Sequence, residues 1–122
     1  MEGKRIYMSG PISGKDVEER RNTFKRVEKK LQTLGFRVFN PMENGLPADS
    51  TTHQHMRRDL NTLTNESDPF DYIFMMEHWT HSAGCWKEFE AAISCGIAVI
   101  FEENKFPEEF GAVNTLFFHR FG

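Results

Sequence analysis

Glu88 is the residue in this chain best placed to do chemistry. It lies in the run His78-Trp79-Thr80-His81-Ser82-Ala83-Gly84-Cys85-Trp86-Lys87-Glu88-Phe89-Glu90-Ala91-Ala92, where a strand ends, a polar loop turns and a helix begins. Its helical neighbours at spacings of three, four and seven are Cys85, Ala91, Ala92 and Cys95, all small and weakly polar. A carboxylate on such a stripe is either a mispatterned surface residue or a group aimed into a pocket, because carboxylates are seldom buried without a partner or a task. At a ligand-binding edge it can attack an anomeric carbon or steady an oxocarbenium ion, and a second carboxylate such as Asp59 can exchange the proton. Two carboxylates, a glycine-rich loop and no metal describe the cleavage of an N- or O-glycosidic bond better than redox or phosphoryl-transfer chemistry.

The other reactive residues have plainer readings. Tyr7-Met8-Ser9-Gly10-Pro11-Ile12-Ser13-Gly14 leaves a strand and precedes a helix, so its backbone N–H groups can approach an anion. It is neither a phosphate-binding Walker loop nor a full dinucleotide fingerprint, and a tight turn explains its Gly and Pro equally well. Asp59, taken alone, reads as a surface carboxylate pairing with His55 at the polar margin of a Met56–Leu60–Leu63 face. Asp71 opens a strand, and Asp68 suits a turn before Pro69. His53 and His55 diverge on a helix, and His78 and His81 have no third partner at ligand spacing, so no metal site is expected. Cys85 reads as a small core residue rather than a nucleophile, since no base partners it. Trp79 and Trp86 either stack on a base or fill the sheet edge, and the second is the usual outcome.

Alternating elements must position these groups. The expected strands are Arg5–Met8, Phe36–Phe39, Tyr72–Met76 and Ile97–Phe101, and the expected helices are Lys15–Leu34, Thr52 to about Leu63, and Ala83–Cys95. Val17, Phe24, Val27, Leu31 and Leu34 form the apolar stripe of the first helix, which Gly35 ends. Val113–Phe118 reads either as a fifth strand or as an oligomer contact. Near-continuous apolar strands between helices imply an α/β, flavodoxin-like (Rossmann-like) three-layer sandwich around a four- to five-stranded parallel sheet. Ligands of such sheets bind beyond the carboxyl ends of the strands, which singles out the loops Ser9–Gly14, Asn40–Ser50 and Glu77–Gly84.

Bulk properties narrow the partners. The 122 residues suit a single domain, residues 1–122, with its own core, and 39% hydrophobic with 27% charged residues is ordinary for a globule. A net charge of −3 without a long basic run argues against a nucleic-acid surface. No stretch reaches transmembrane length or resembles a signal peptide, and Cys85 and Cys95 read as reduced core thiols, so a cytoplasmic location is expected.

Three blocks then resemble a known superfamily: Ile6-Tyr7-Met8-Ser9-Gly10-Pro11-Ile12, Arg58-Asp59-Leu60, and Ser82-Ala83-Gly84-Cys85-Trp86-Lys87-Glu88 with Ala92 behind it. They are similar to the nucleoside 2-deoxyribosyltransferases and the deoxynucleoside 5′-monophosphate N-glycosidases, and in particular to a small branch with a Trp, here Trp79, before the serine. The third block matches the pattern Ser-x-Gly-x-x-x-Glu. The resemblance, over roughly Ile6 to Phe101, implies that Glu88 attacks C1′ or stabilises it, that Asp59 transfers protons at the base or water, and that Tyr7 positions the glutamate and sugar. It implies substrate contacts from Ser9, Gly10, Pro11, Ile12, Ser13 and Gly14 around the 5′ end, with Ser82 and Gly84 near the phosphate. It also implies contacts from Asn40 and Trp79, and from Asp71 near the base. Where the monophosphate hydrolases carry an arginine in the first loop, this chain has Ser13, and Lys15 is available to replace the charge. The implied activity is hydrolysis of a (deoxy)nucleoside or its 5′-monophosphate, with base exchange by a transferase and non-catalytic nucleotide binding as alternatives. No cofactor is implied. The implied partners are the small-molecule substrate and further copies of the chain in a homodimer or larger homo-oligomer, with Asn114 as a candidate for a residue completing a neighbour's site and the Phe-rich tail suiting either an interface or ordinary core packing.

Overall fold

The computed structural model describes residues 2–102 and the strand 118–120. Five parallel strands run in the order β2-β1-β3-β4-β5: β1 (Arg5–Ser9), β2 (Arg37–Phe39), β3 (Tyr72–Met75), β4 (Ala98–Phe101) and β5 (Phe118–Arg120). This is the flavodoxin-like order, with the switch point between β1 and β3. The fifth strand starts where the expected one ended. Residues 113–117 lie outside the described residues, as do Asn114, Phe106, Phe110, Phe117 and Phe121.

Alternation along the strands divides the core into two layers. Tyr7, Ile73, Met75, Val99 and Phe101 point to one face, where they meet Leu63 of α2 (Thr52–Leu63) and Cys85, Phe89 and Ala92 of α3 (Ala83–Ser94). Ile6, Met8, Phe74 and Ile100 point to the other, beneath Phe24, Val27 and Leu31 of α1 (Val17–Thr33). Because side chains two apart on a strand share a face, Tyr7 and Ser9 both look toward α2 and α3. Burying each large apolar side chain stabilises the fold by about 1.5–3 kcal/mol, and the two layers together enclose the sheet.

Caps set the helix boundaries. Asp16 accepts the N–H groups of Glu18 and Glu19, so α1 begins two residues later than its charge pattern suggested. Its end residues Val17 and Leu34 are 48% and 46% exposed, so the buried stripe is only Phe24, Val27 and Leu31. Thr51 and Gln54 form a reciprocal capping box at α2. Ser82 caps α3 by accepting the Cys85 N–H at 3.2 Å. Cys95, expected in the core, is instead the exposed C-cap of α3, because the helix stops there and turns away at Gly96. Among the described residues no helix is long and apolar enough to cross a membrane.

Candidate active site

A cavity of about 520 Å³ opens at the carboxyl edge of the sheet, between the loop after β1, the loop after β2, α2 and the start of α3. Glu88 and Asp59 both line it, yet they are only 6% and 7% exposed. The structure brings Gly10, Pro11, Ile12, Ser13, Ser82 and Gly84 to the same wall.

Behind the cavity, Glu88 is held from the strand side. Ser9 Oγ donates to Glu88 Oε1 at 2.7 Å, and Tyr7 Oη donates to Oε2. Tyr7 and Ser9 are themselves fully buried and do not line the cavity, so they fix the carboxylate rather than meet a ligand. Burial pushes the Glu88 carboxyl from 4.5 up to about 7, against the two hydroxyl hydrogen bonds, and the nearby Asp59 charge adds to the rise. The Tyr7 hydroxyl is driven well above its usual value by burial and then by the Glu88 charge. It therefore stays a donor throughout the ordinary pH range.

Asp59 occupies the other side. Its carboxyl is raised by burial, opposed by a 3.0 Å hydrogen bond from Asn44 Nδ2 and by His55 and Arg58 nearby. Sequence periodicity had put Asp59 at a polar margin. The loop between β2 and α2 covers that margin and turns it into an interior. Asn44, His55 and Arg21 were missed as site residues, although all three face the cavity with Lys15. A polar Asn in a long loop between expected elements was the one available signal. The Cys85 thiol also reaches the cavity, but burial pushes it up to about 11, so it stays protonated and is not a nucleophile at neutral pH.

Besides Ser9, four expected contacts lie outside the cavity lining. Asp71 precedes β3 and accepts the Arg5 N–H at 2.9 Å, which places it at the amino edge of the sheet, opposite the cavity. Trp79 is 4% exposed and packs on Trp86, Phe89 and Phe101, because its apolar ring completes the α3 layer. Asn40 is buried as the cap of the short turn Pro41–Glu43, accepting the Met42 N–H and donating to Glu28. Gly14 sits at φ +75° outside the lining and serves the turn into α1.

Gly10 and Gly84 have steric reasons to be glycine. A Cβ on Gly10 would lie 2.8 Å from Met76 Sδ and 3.1 Å from Phe24 Cζ, and one on Gly84 would lie 3.0 Å from the terminal methyl of Met56. Among the described residues no group of three or more His, Cys, Asp or Glu side chains could hold a metal ion.

Comparison with known proteins adds a family. Residues 4–101 match the family described as a domain of unknown function, DUF4406. The chain belongs to that family. Among solved structures, a 2-deoxyribosyltransferase from the psychrotolerant bacterium Bacillus psychrosaccharolyticus is similar, with a TM-score of 0.67 and 21% identity. The match covers 97% of this chain and 85% of that one, and at this identity it establishes a shared fold. No curated protein matches the chain.

Proposed function

We propose that this DUF4406 domain hydrolyses the N-glycosidic bond of a (deoxy)nucleoside or its 5′-monophosphate, releasing the free base. The observation that carries the reading is a Glu88 carboxylate at a cavity wall, held at both oxygens by Tyr7 and Ser9 and facing a second buried carboxyl at Asp59. Two carboxyls in each other's field hold one proton more readily than two negative charges.

The reactive form carries that proton on Asp59. Glu88 forms a bond to C1′ as the C1′–N bond breaks, and the base leaves with the electron pair and the Asp59 proton. Water then cleaves the ribosyl ester, returning Glu88 to its anion and a proton to Asp59. Positive charge gathering at C1′ favours the ionised Glu88, offsetting part of the burial that raised its carboxyl. Lys15 and Arg21 at the cavity suit a 5′-phosphate, in the role that an arginine in place of Ser13 would otherwise fill. The fold shared with a 2-deoxyribosyltransferase supports a nucleoside as the substrate class.

The experiment is a panel of ribo- and deoxyribonucleosides and their 5′-monophosphates, read by liquid chromatography for free base. Release that Glu88→Gln lowers by orders of magnitude supports the proposal. No base from any substrate refutes it. Adding a second free base and finding exchanged nucleoside would make the enzyme a transferase instead.

A further inference from the structure

The long loop between β2 and α2 lines the cavity and reaches Asp59 through Asn44. Asn44 is buried, and its side-chain amide joins three groups. Its Oδ1 lies 3.1 Å from the Leu46 N–H, and a backbone N–H can only donate, so that atom must be the carbonyl oxygen. The opposite corner is therefore the NH2 group. It sits 3.0 Å from Asp59 Oδ1 and 3.1 Å from His55 Nδ1. The Asn44 backbone carbonyl in turn accepts from Arg58 Nη1 at 2.9 Å, tying the loop to α2.

This orientation dictates the state of the histidine. With an N–H pointing at it, Nδ1 must accept, and a neutral imidazole that accepts at Nδ1 carries its proton on Nε2. His55 lines the cavity one helical turn before Asp59, so both face the same part of a ligand. A departing purine or pyrimidine gathers negative charge at its ring acceptors, and a fixed N–H is the complement of that charge.

We propose that Asn44 is a positioning residue that holds Asp59 and locks His55 in its Nε2–H form, and that His55 donates this hydrogen bond to the leaving base. The role of His55 at the base rests on the proposed glycosidic cleavage; the locking of its tautomer does not. No proton leaves His55. It stabilises the electron pair that the base takes from the C1′–N bond, while Asp59 supplies the proton.

Two measurements test this. The first is a long-range proton–nitrogen NMR spectrum of the histidine rings in the whole protein, with the His55 signal identified by its loss in His55→Gln. Wild type should show a single Nε2–H tautomer, and Asn44→Ala a mixture of tautomers with the fold retained by circular dichroism. An Nδ1–H tautomer in wild type, or an unchanged ring in Asn44→Ala, overturns the locking. The second is base release by His55→Gln, whose amide falls near the Nε2 position, against His55→Asn, whose amide falls near Nδ1. Gln should keep kcat within about tenfold of wild type while Asn loses about a hundredfold with KM nearly constant, the range seen for single charge-stabilising donors. Equal losses in both variants, or losses confined to KM, overturn the catalytic role. A wild type that releases no base removes the proposed function and His55's role with it, while the tautomer spectrum still decides the role of Asn44.

Discussion

Replacing Glu88 by Gln should make the protein more stable and the enzyme inactive, and the gain should depend on pH. Glu88 is 6% exposed, and its carboxyl is raised from 4.5 to about 7 chiefly by burial. The folded state therefore holds a proton that the unfolded chain has already released. A group raised in this way favours folding below its unfolded value and loses that advantage as pH climbs through its folded one. For Glu88 the loss falls between about pH 4.5 and 7, and a carboxyl moved that far destabilises the ionised fold by about 3 kcal/mol. Gln has nearly the same shape, and the Tyr7 and Ser9 hydroxyls can turn to match its amide, so the variant avoids the ionisation penalty. In a domain of this size that difference corresponds to about 10 °C in melting temperature. The assay is a pair of thermal melts for each protein at pH 4.5 and pH 8. The variant's margin over wild type should be about 3 kcal/mol larger at pH 8, which cancels every titration the two proteins share. A margin that is equal at both pH values, or larger at pH 4.5, would show that the carboxylate is not buried as described.

Other perturbations separate the roles of the remaining groups. Tyr7→Phe removes a hydrogen bond that holds the Glu88 carboxyl down, so the acid limb of the kcat/KM profile should move to higher pH and the rate at pH 7 fall by about tenfold; an unmoved limb would contradict the contact. Gly10→Ala should destabilise the fold by about 1–3 kcal/mol in urea melts, because the new methyl meets Met76 and Phe24, and a neutral result would mean that α1 can yield at that point. Trp79→Phe should lower stability by a few kcal/mol, in proportion to the lost core contacts, while leaving KM unchanged; a selective rise in KM would return Trp79 to the substrate. Alkylation of the native protein at pH 8 should label the exposed Cys95 and spare Cys85, which mass spectrometry of peptides would show.

The fold was legible because parallel strands buried on both faces leave a local mark. Ile6–Met8, Ile73–Met75 and Val99–Phe101 are unbroken apolar runs, and the helices between them carry their own caps. Glu88 was legible for the complementary reason: it breaks the pattern of a buried stripe. Asp59 was not, since its interior is made by Asn44, fifteen residues away in a loop without periodicity. In sequence it was one candidate second carboxylate, and the resemblance gave it a role. Asp71 illustrates a different failure. The resemblance implied a contact near the base, whereas the position of Asp71 at the start of β3 puts it at the amino end of a parallel sheet, as a strand-entry residue. Trp79 takes the plainer of its two readings and fills the core, whereas the resemblance had implied a substrate contact, because an aromatic beside such a motif looks the same in sequence either way.

The glycine of the Ser-x-Gly-x-x-x-Glu pattern carries a consequence for engineering this domain. Gly84 sits one helical turn before Glu88, under the tip of Met56, and that tip borders the cavity. A methyl added there has a soft neighbour rather than backbone to displace, so the scaffold can tolerate it. The displaced tip has the ligand's own space to swing into. The missing side chain thus acts as a reserve of empty volume held for the ligand, and its loss would register in a screen for binding while a screen for folding passed it unnoticed.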